Sequence, residues 1–275
     1  MFVRKLIAVV LLSALMLQPA LAWNAVEETD WSQSISGYVE APNRGRLRYY
    51  AQNDPVWATM VYRFPHQDYE PRFSGAGCIP SALANCIANL LPPEELTRLS
   101  AFTHRDEGFF ICPCSMNRLN CDGSHTRYPI ATAEDFDRFF CLVVGSYLSG
   151  NNEINDYACG TMHLTAHLLE LYGFSFDRAD DNISYAAQEG ADRGALTILM
   201  VAGDDCPFTS GSHALVLCDA DSEYFYFLDS FYREEYPLDR LHIVNIITPG
   251  LVAVPRKEAH RLGIYDMYIV YPPEK

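Results

Sequence analysis

An α+β fold is predicted by a change of texture along the 275-residue chain. Up to about residue 192, apolar residues recur at helical spacing, as in the stripe Ile79, Leu83, Cys86/Ile87 and Leu90. Beyond Gly194 they gather in runs of strand length: Leu196–Ala202, His213–Asp219, Tyr224–Asp229 and Met267–Tyr271. Helices first and strands later imply a helical N-terminal part packed on a C-terminal antiparallel sheet. No internal repeat interrupts this order.

Residues 1–22 have the form of a secretory signal, with Arg4 and Lys5, an apolar run Leu6–Leu17, and Ala20-Leu21-Ala22 before Trp23. The run is short of the roughly 20 residues of a membrane span. No cysteine follows the cleavage site for a lipid anchor. An exported, soluble chain is therefore expected, without a membrane anchor. The remaining 253 residues suffice for one large domain or two small ones, and the 49% apolar content can build a core unaided. The leader holds two of the 20 basic residues and none of the 35 acids, so the remainder carries −17. Such a charge excludes nucleic acid and anionic membranes as natural partners.

In chain order, residues 23–46 are polar, with Gly37, Pro42 and Gly45, and read as an extended or loosely docked lead-in to a domain spanning 47–275. Leu47–Trp57 begins as a short strand and turns at Asp54-Pro55. Gly75 and Gly77 then deliver Cys78 to a helix start, where Pro80 suits the first turn and Pro92-Pro93 ends the helix. Residues 100–128 lack helical or strand period and hold Cys112, Cys114, Cys121 and His125, which suggests a cysteine-tied insertion. Thr132-Ala-Glu-Asp135 has capping-box spacing ahead of a stripe at Phe136, Phe139/Phe140, Val143/Val144 and Tyr147. A second helix runs from about Thr161 to Tyr172 and is capped by Gly173. A third covers about Ile183–Asp192.

Cys78 sits where backbone N–H groups and the positive end of the helix dipole favour a thiolate. That placement suits a nucleophile, though half of a disulfide or an inert core thiol remain readings of the same residue. Nine cysteines in an exported chain point to disulfides. The odd number leaves at least one free; were it Cys78, the other eight would suffice for four bridges.

His213 opens one strand run and Asp229 closes the next. A hairpin with the three-residue loop Ala220-Asp221-Ser222 would set them directly opposite, with Cβ atoms about 4.5–5.5 Å apart, within reach of a carboxylate–imidazole bond. A two-residue loop would shift the register by one and spoil that pairing.

Gly77-Cys78-Ile79-Pro80-Ser81-Ala82, Gly211-Ser212-His213 and Leu228-Asp229-Ser230 resemble the Cys, His and Asp boxes of papain-like cysteine peptidases. The likeness is greatest to the bacteriocin-processing (double-glycine leader) peptidases and their stand-alone secreted relatives. That group carries an upstream glutamine in a Gln-x-Asp-x-x-Trp-like segment, matched here by Gln52-Asn-Asp54-Pro-Val-Trp57. The resemblance spans about Tyr49–Ser230. Ile79 departs from the Gly-Cys-Gly-Pro common in the group, Ser230 stands where proline often follows the aspartate, and the 100–128 insertion is extra.

The resemblance implies a papain-like fold and hydrolysis of peptide amide bonds through a thioester acyl-enzyme, without cofactor. It assigns Cys78 as nucleophile, His213 as the base that later returns a proton, and Asp229 as the group orienting His213. It also assigns Gln52, with the Cys78 N–H, to an oxyanion hole. The implied partner is a peptide or protein substrate, and the expected form is a monomer. Amidase or transpeptidase work would use the same triad. An extracellular binding protein on the same scaffold is the alternative of another class.

The remaining candidates are weaker. Cys112, Cys114, Cys121 and His125 have the residue types of a zinc site, but Cys112-x-Cys114 is not a common zinc-knuckle spacing and export favours disulfides. His163 and His167 stand four apart on a helix with Leu164 in place of a glutamate, so no HExxH motif exists. Cys86 and Cys218 lie on apolar stretches, as core thiols or bridge partners, and Asn182-Ile-Ser184 fits a glycosylation acceptor.

Overall fold

A computed structural model describes residues 31–59, 72–91, 109–111, 128–130, 140, 141, 144, 165, 166, 169, 170, 173–179, 182–236 and 243–274. Its centre is a seven-stranded sheet in which every pairing is antiparallel. The strands are β5 (Ser175–Ala179), β6 (Leu196–Ala202), β7 (Ser212–Ala220), β8 (Tyr224–Asp229), β9 (Asn245–Thr248), β10 (Leu251–Pro255) and β11 (Ile264–Tyr271), in the spatial order β5-β11-β6-β7-β8-β10-β9. β6, β7 and β8 are apolar along nearly their whole length because both faces of the sheet are covered.

One face packs against α2 (Cys78–Leu90), which follows the single-turn α1 (Phe73–Ala76). Leu83 and Ile87 of α2 share a core with Ile198, Met200, Ala214, Val216 and Leu228. The other face packs against α3 (Ile183–Arg193), where Ile183, Ala186 and Ala187 meet Leu199, Val201, Leu215, Phe225 and Phe227. Asn182 caps the start of α3 through its side chain, and Gly194 closes its end at φ 72°. α2 ends where Leu91 is extended, as the residue before a proline favours.

The chain joins this body earlier than residue 47. β1 (Gly37–Ala41) and β2 (Gly45–Tyr49) form a hairpin, so the expectation of a loosely docked 23–46 lead-in is corrected from Gly37 onward. Alternation is the reason: Val39, Ala41, Leu47 and Tyr49 turn inward while Tyr38 and Glu40 face out. The preceding Ser34–Ser36 is also fastened. The buried Asp54 carboxylate accepts bonds from Ser34 Oγ (2.7 Å), the Ile35 N–H (3.1 Å) and the Ser36 N–H (2.9 Å).

The insertion also contains regular pairing, contrary to the expectation of none in 100–128. β3 (Phe109–Ile111) lies antiparallel to β4 (Tyr128–Ile130). The proposed helices over 132–147 and 161–172 fall mostly outside the described residues; 140, 141, 144, 165, 166, 169 and 170 are helical, and Gly173 adopts φ 75° as a cap should. The signal segment, Cys112, Cys114, Cys121, His125, His163 and His167 lie outside the described residues. Among those described, no helix is long and apolar enough to cross a membrane.

Candidate active site

Cys78 is the first residue of α2 and is half-buried. Gly77 precedes it for reasons of space, since its φ of −84° suits any residue. A Cβ there would stand 2.6 Å from the Phe73 carbonyl oxygen and 2.8 Å from the Phe73 ring. The turn that presents the thiol is thus held by the packing of α1 beneath it.

Two asparagines on α2 fasten it to the segment that leads to Gln52. Asn85 accepts from the Tyr50 N–H (2.7 Å) and donates to the Tyr50 carbonyl (3.1 Å). One turn on, Asn89 accepts from the Arg48 N–H (2.6 Å) and donates to the Arg48 carbonyl (2.8 Å). Four helical residues advance about 6 Å and two extended residues slightly more, so the spacings match and the amides act as a substitute strand.

His213 and Asp229 meet at the ends of neighbouring strands, and both are buried. His213 Nε2 lies 2.7 Å from Asp229 Oδ1. They are not directly opposed, which corrects the expected register. Asp229 pairs with Leu215, two residues beyond His213. The tip is the two-residue Ser222-Glu223, because the Asp221 N–H donates to the Tyr224 carbonyl (3.0 Å) and Asp221 Oδ1 accepts from the Glu223 and Tyr224 N–H groups. Ala220 then pairs with Phe225, a register that would carry His213 to the wrong face if it continued. A bulge between Leu217 and Asp219 absorbs one residue and restores the parity. The β1–β2 turn braces this bulge. Asn43 binds the Asp219 carboxylate and the Ala220 carbonyl, and Arg44 donates to the carbonyls of Gly194, Ala195 and Cys218.

The buried Asp229 carboxylate is surrounded by protein donors. Oδ1 also accepts from the Phe231 N–H (2.9 Å), Oδ2 accepts from the Tyr236 hydroxyl, and the Arg233 guanidinium stands 3.9 Å from Oδ2. Burial works against its charge, but His213, Arg233 and Tyr236 outweigh it and hold the carboxyl below its ordinary value of 3.8. For His213, burial likewise disfavours the imidazolium, while Asp229 and the nearby Cys78 side chain raise it to about 9. With Nε2 engaged by Asp229, Nδ1 is the nitrogen left to Cys78. Three separate elements thus converge on one imidazole: Asp229 bonds it at 2.7 Å, and Cys78 stands near enough to favour its charged form.

Gln52 is buried beside them. Its Nε2 donates to the Ser74 carbonyl (2.8 Å), four residues before Cys78, and its Oε1 lies 3.3 Å from Ser230 Oγ. One amide hydrogen remains beyond the bond to Ser74. In the same box, Trp57 is buried and its indole N–H donates to the Ala51 carbonyl (2.8 Å), so Asp54 and Trp57 build the loop that carries Gln52.

The other thiols differ. Cys86, Cys141 and Cys218 are buried free thiols pushed well up by burial, so four bridges from eight cysteines are not formed. Among the described residues no cluster of three or more His, Cys, Asp or Glu side chains is placed to hold a metal ion. Asn182 is occupied as a helix cap. Arg233, Tyr236, Tyr49 and Asn53, which surround the site, carried no signal of their own in sequence; only Asn53 lay inside a motif. No protein-family model matches this chain, and no curated protein matches it.

Proposed function

We propose that the chain is a papain-like thiol peptidase that hydrolyses peptide amide bonds. The observation that carries this reading is the buried His213–Asp229 hydrogen bond beside Cys78, with the thiol at a helix start and an imidazole held cationic to about pH 9.

The thiolate sulfur of Cys78 forms a bond to the scissile carbonyl carbon, and the carbonyl oxygen takes up the displaced electron pair. The Cys78 N–H and the free Gln52 amide hydrogen receive that oxyanion. His213 passes its proton to the departing amine as the tetrahedral species collapses to a thioester. Water then attacks the thioester carbon and gives a proton to His213, which releases the acid and regenerates the ion pair. Asp229 holds the Nε2–H throughout and keeps Nδ1 aimed at sulfur.

Brief iodoacetamide treatment near neutral pH should modify Cys78 ahead of every other cysteine, as read by peptide mass spectrometry. An epoxide inhibitor of thiol peptidases should label the same residue and stop cleavage of a peptide library. Uniform cysteine labelling, or library cleavage that persists in Cys78→Ala, would overturn the reading.

A further inference from the structure

Three hydrogen bonds and one longer hydroxyl contact join the Gln52 loop to the segment that follows Asp229. The Gln52 N–H donates to the Ser230 carbonyl (2.7 Å), and Ser230 Oγ, whose hydrogen goes to the Ala214 carbonyl (2.8 Å), lies 3.3 Å from Gln52 Oε1. Asn53 Nδ2 donates to the Tyr232 carbonyl (3.0 Å), and the Tyr232 N–H donates to Asn53 Oδ1 (2.9 Å). We propose that Asn53 is a positioning residue that, through this clasp, fixes the Gln52 amide for the oxyanion of the acyl-transfer reaction. The inference rests on the thiol-peptidase reading above.

Three features support it. Asn53 exchanges both a donor and an acceptor with one backbone residue, a geometry that fixes its plane as a strand neighbour would. Its partner loop begins at the triad acid, so the clasp ties Gln52 to Asp229 rather than only to the helix of Cys78. The orientation of the Gln52 amide is likewise determined: the Ser74 carbonyl can only accept, which sets Nε2 toward it and turns Oε1 toward Ser230. Ser230 also bonds the Ala214 carbonyl (2.8 Å), the residue after His213, so its hydroxyl is anchored on the β7 side. Without Asn53, Gln52 keeps its backbone bond but loses the second rung against rotation of its loop. A displacement of about 1 Å at such a donor can cost on the order of 100-fold in rate.

The test separates oxyanion stabilisation from thiolate formation. Alkylation by iodoacetamide displaces iodide at a saturated carbon and develops no oxyanion, whereas peptide cleavage does. In Asn53→Ala, kcat for peptide cleavage should fall about 10- to 100-fold with KM within about twofold. The rate and pH profile of Cys78 alkylation should be unchanged, which also shows that the variant is folded. The double variant Gln52→Ala/Asn53→Ala should be no slower than Gln52→Ala alone. Asn53→Asp, nearly isosteric, should resemble Asn53→Ala because its second oxygen faces the Tyr232 carbonyl. An equal fall in alkylation rate would mean that Asn53 acts on His213 and Asp229, and additivity with Gln52→Ala or a change in KM alone would also overturn the proposal. A wild type that alkylates Cys78 rapidly yet loses nothing in Asn53→Ala defeats the clasp and leaves the peptidase reading standing. A wild type with neither rapid alkylation nor cleavage defeats both.

Discussion

Leu215 stands opposite Asp229, yet it is His213, two residues earlier, whose ring reaches the carboxylate at 2.7 Å. A diagonal pair of this kind lies on one face of the sheet, with Cβ atoms farther apart than a direct pair but within reach of a ring. The extra residue that makes the parity right is held in the bulge around Cys218.

This arrangement predicts an unusual tolerance. Deleting Cys218 would leave Leu217 opposite Phe227 and Leu215 opposite Asp229, since the ladder on the site's side of the bulge is unchanged. The deletion should lower Tm, because Arg44 and Asn43 lose their seat on the bulge. Selective alkylation of Cys78 should survive. A folded deletion variant with Cys78 no more reactive than Cys86 would refute the register.

Asp229→Asn should keep the fold and cut kcat by at least about tenfold, short of the roughly 10⁴ lost in serine triads, because a thiol ionises more readily than a hydroxyl. The pH profile carries the sharper expectation. His213 is held up to about 9 against burial by the Asp229 charge and by Cys78. Without that charge, burial prevails and the imidazolium is lost at lower pH. The alkaline limb of peptide cleavage, which needs the imidazolium proton for the departing amine, should therefore move down. An alkaline limb in the same place would mean that another group sets it.

The helix of Cys78, its first-turn proline and the three central strands were legible because each is a continuous apolar pattern with a local stop signal. The boxes around Gln52, Cys78, His213 and Asp229 were legible as short motifs in order. The hairpin register was not, because a bulge leaves no mark in the spacing of apolar residues: Cys218 and Leu217 both point into core. Edge strands escaped for another reason. β5 reads Ser-Phe-Asp-Arg-Ala and is largely exposed, and β9 has only four residues, so neither shows the alternation or the run that marks a half-buried or buried strand. The surroundings of Asp229 were invisible because Arg233 and Tyr236 approach it through a turn, with no periodicity to betray them.

Stability should follow the same ion pair. His213 has a folded value of about 9 against an ordinary 6.5, so its contribution is fully present below pH 6.5 and is lost as pH rises through 9. Asp229 is depressed below 3.8, so its contribution is present above pH 3.8 and is lost as pH falls through the depressed value. The Tm gap between wild type and Asp229→Asn should therefore be widest between pH 3.8 and 6.5 and narrow on both sides. A gap that stays constant from pH 6 to pH 10 would show that the pair is not the source.

Asn85 offers a test of how the nucleophile's helix is held. Its side chain is fully buried in α2 and satisfies both backbone groups of Tyr50, which is itself buried. Asn85→Ala would leave the Tyr50 N–H and carbonyl without these bonds in a place where water does not reach them. Each buried backbone group left unpaired costs on the order of 1–3 kcal/mol, so the loss should rival that of a large core truncation. Asn85→Leu should do no better, although it fills the space, because the deficit is polar rather than volumetric. Asn89→Ala, one turn on and half-buried, should cost less, since solvent can replace part of what it supplies. Denaturant melts of the three variants would check this order. If Asn85→Leu matched the wild type, the amide would be filling space and the helix would be held by Leu83 and Ile87 alone; if it fell with Asn85→Ala, the hydrogen-bonded pairing to Tyr50 is what sets the distance between Cys78 and the Gln52 loop.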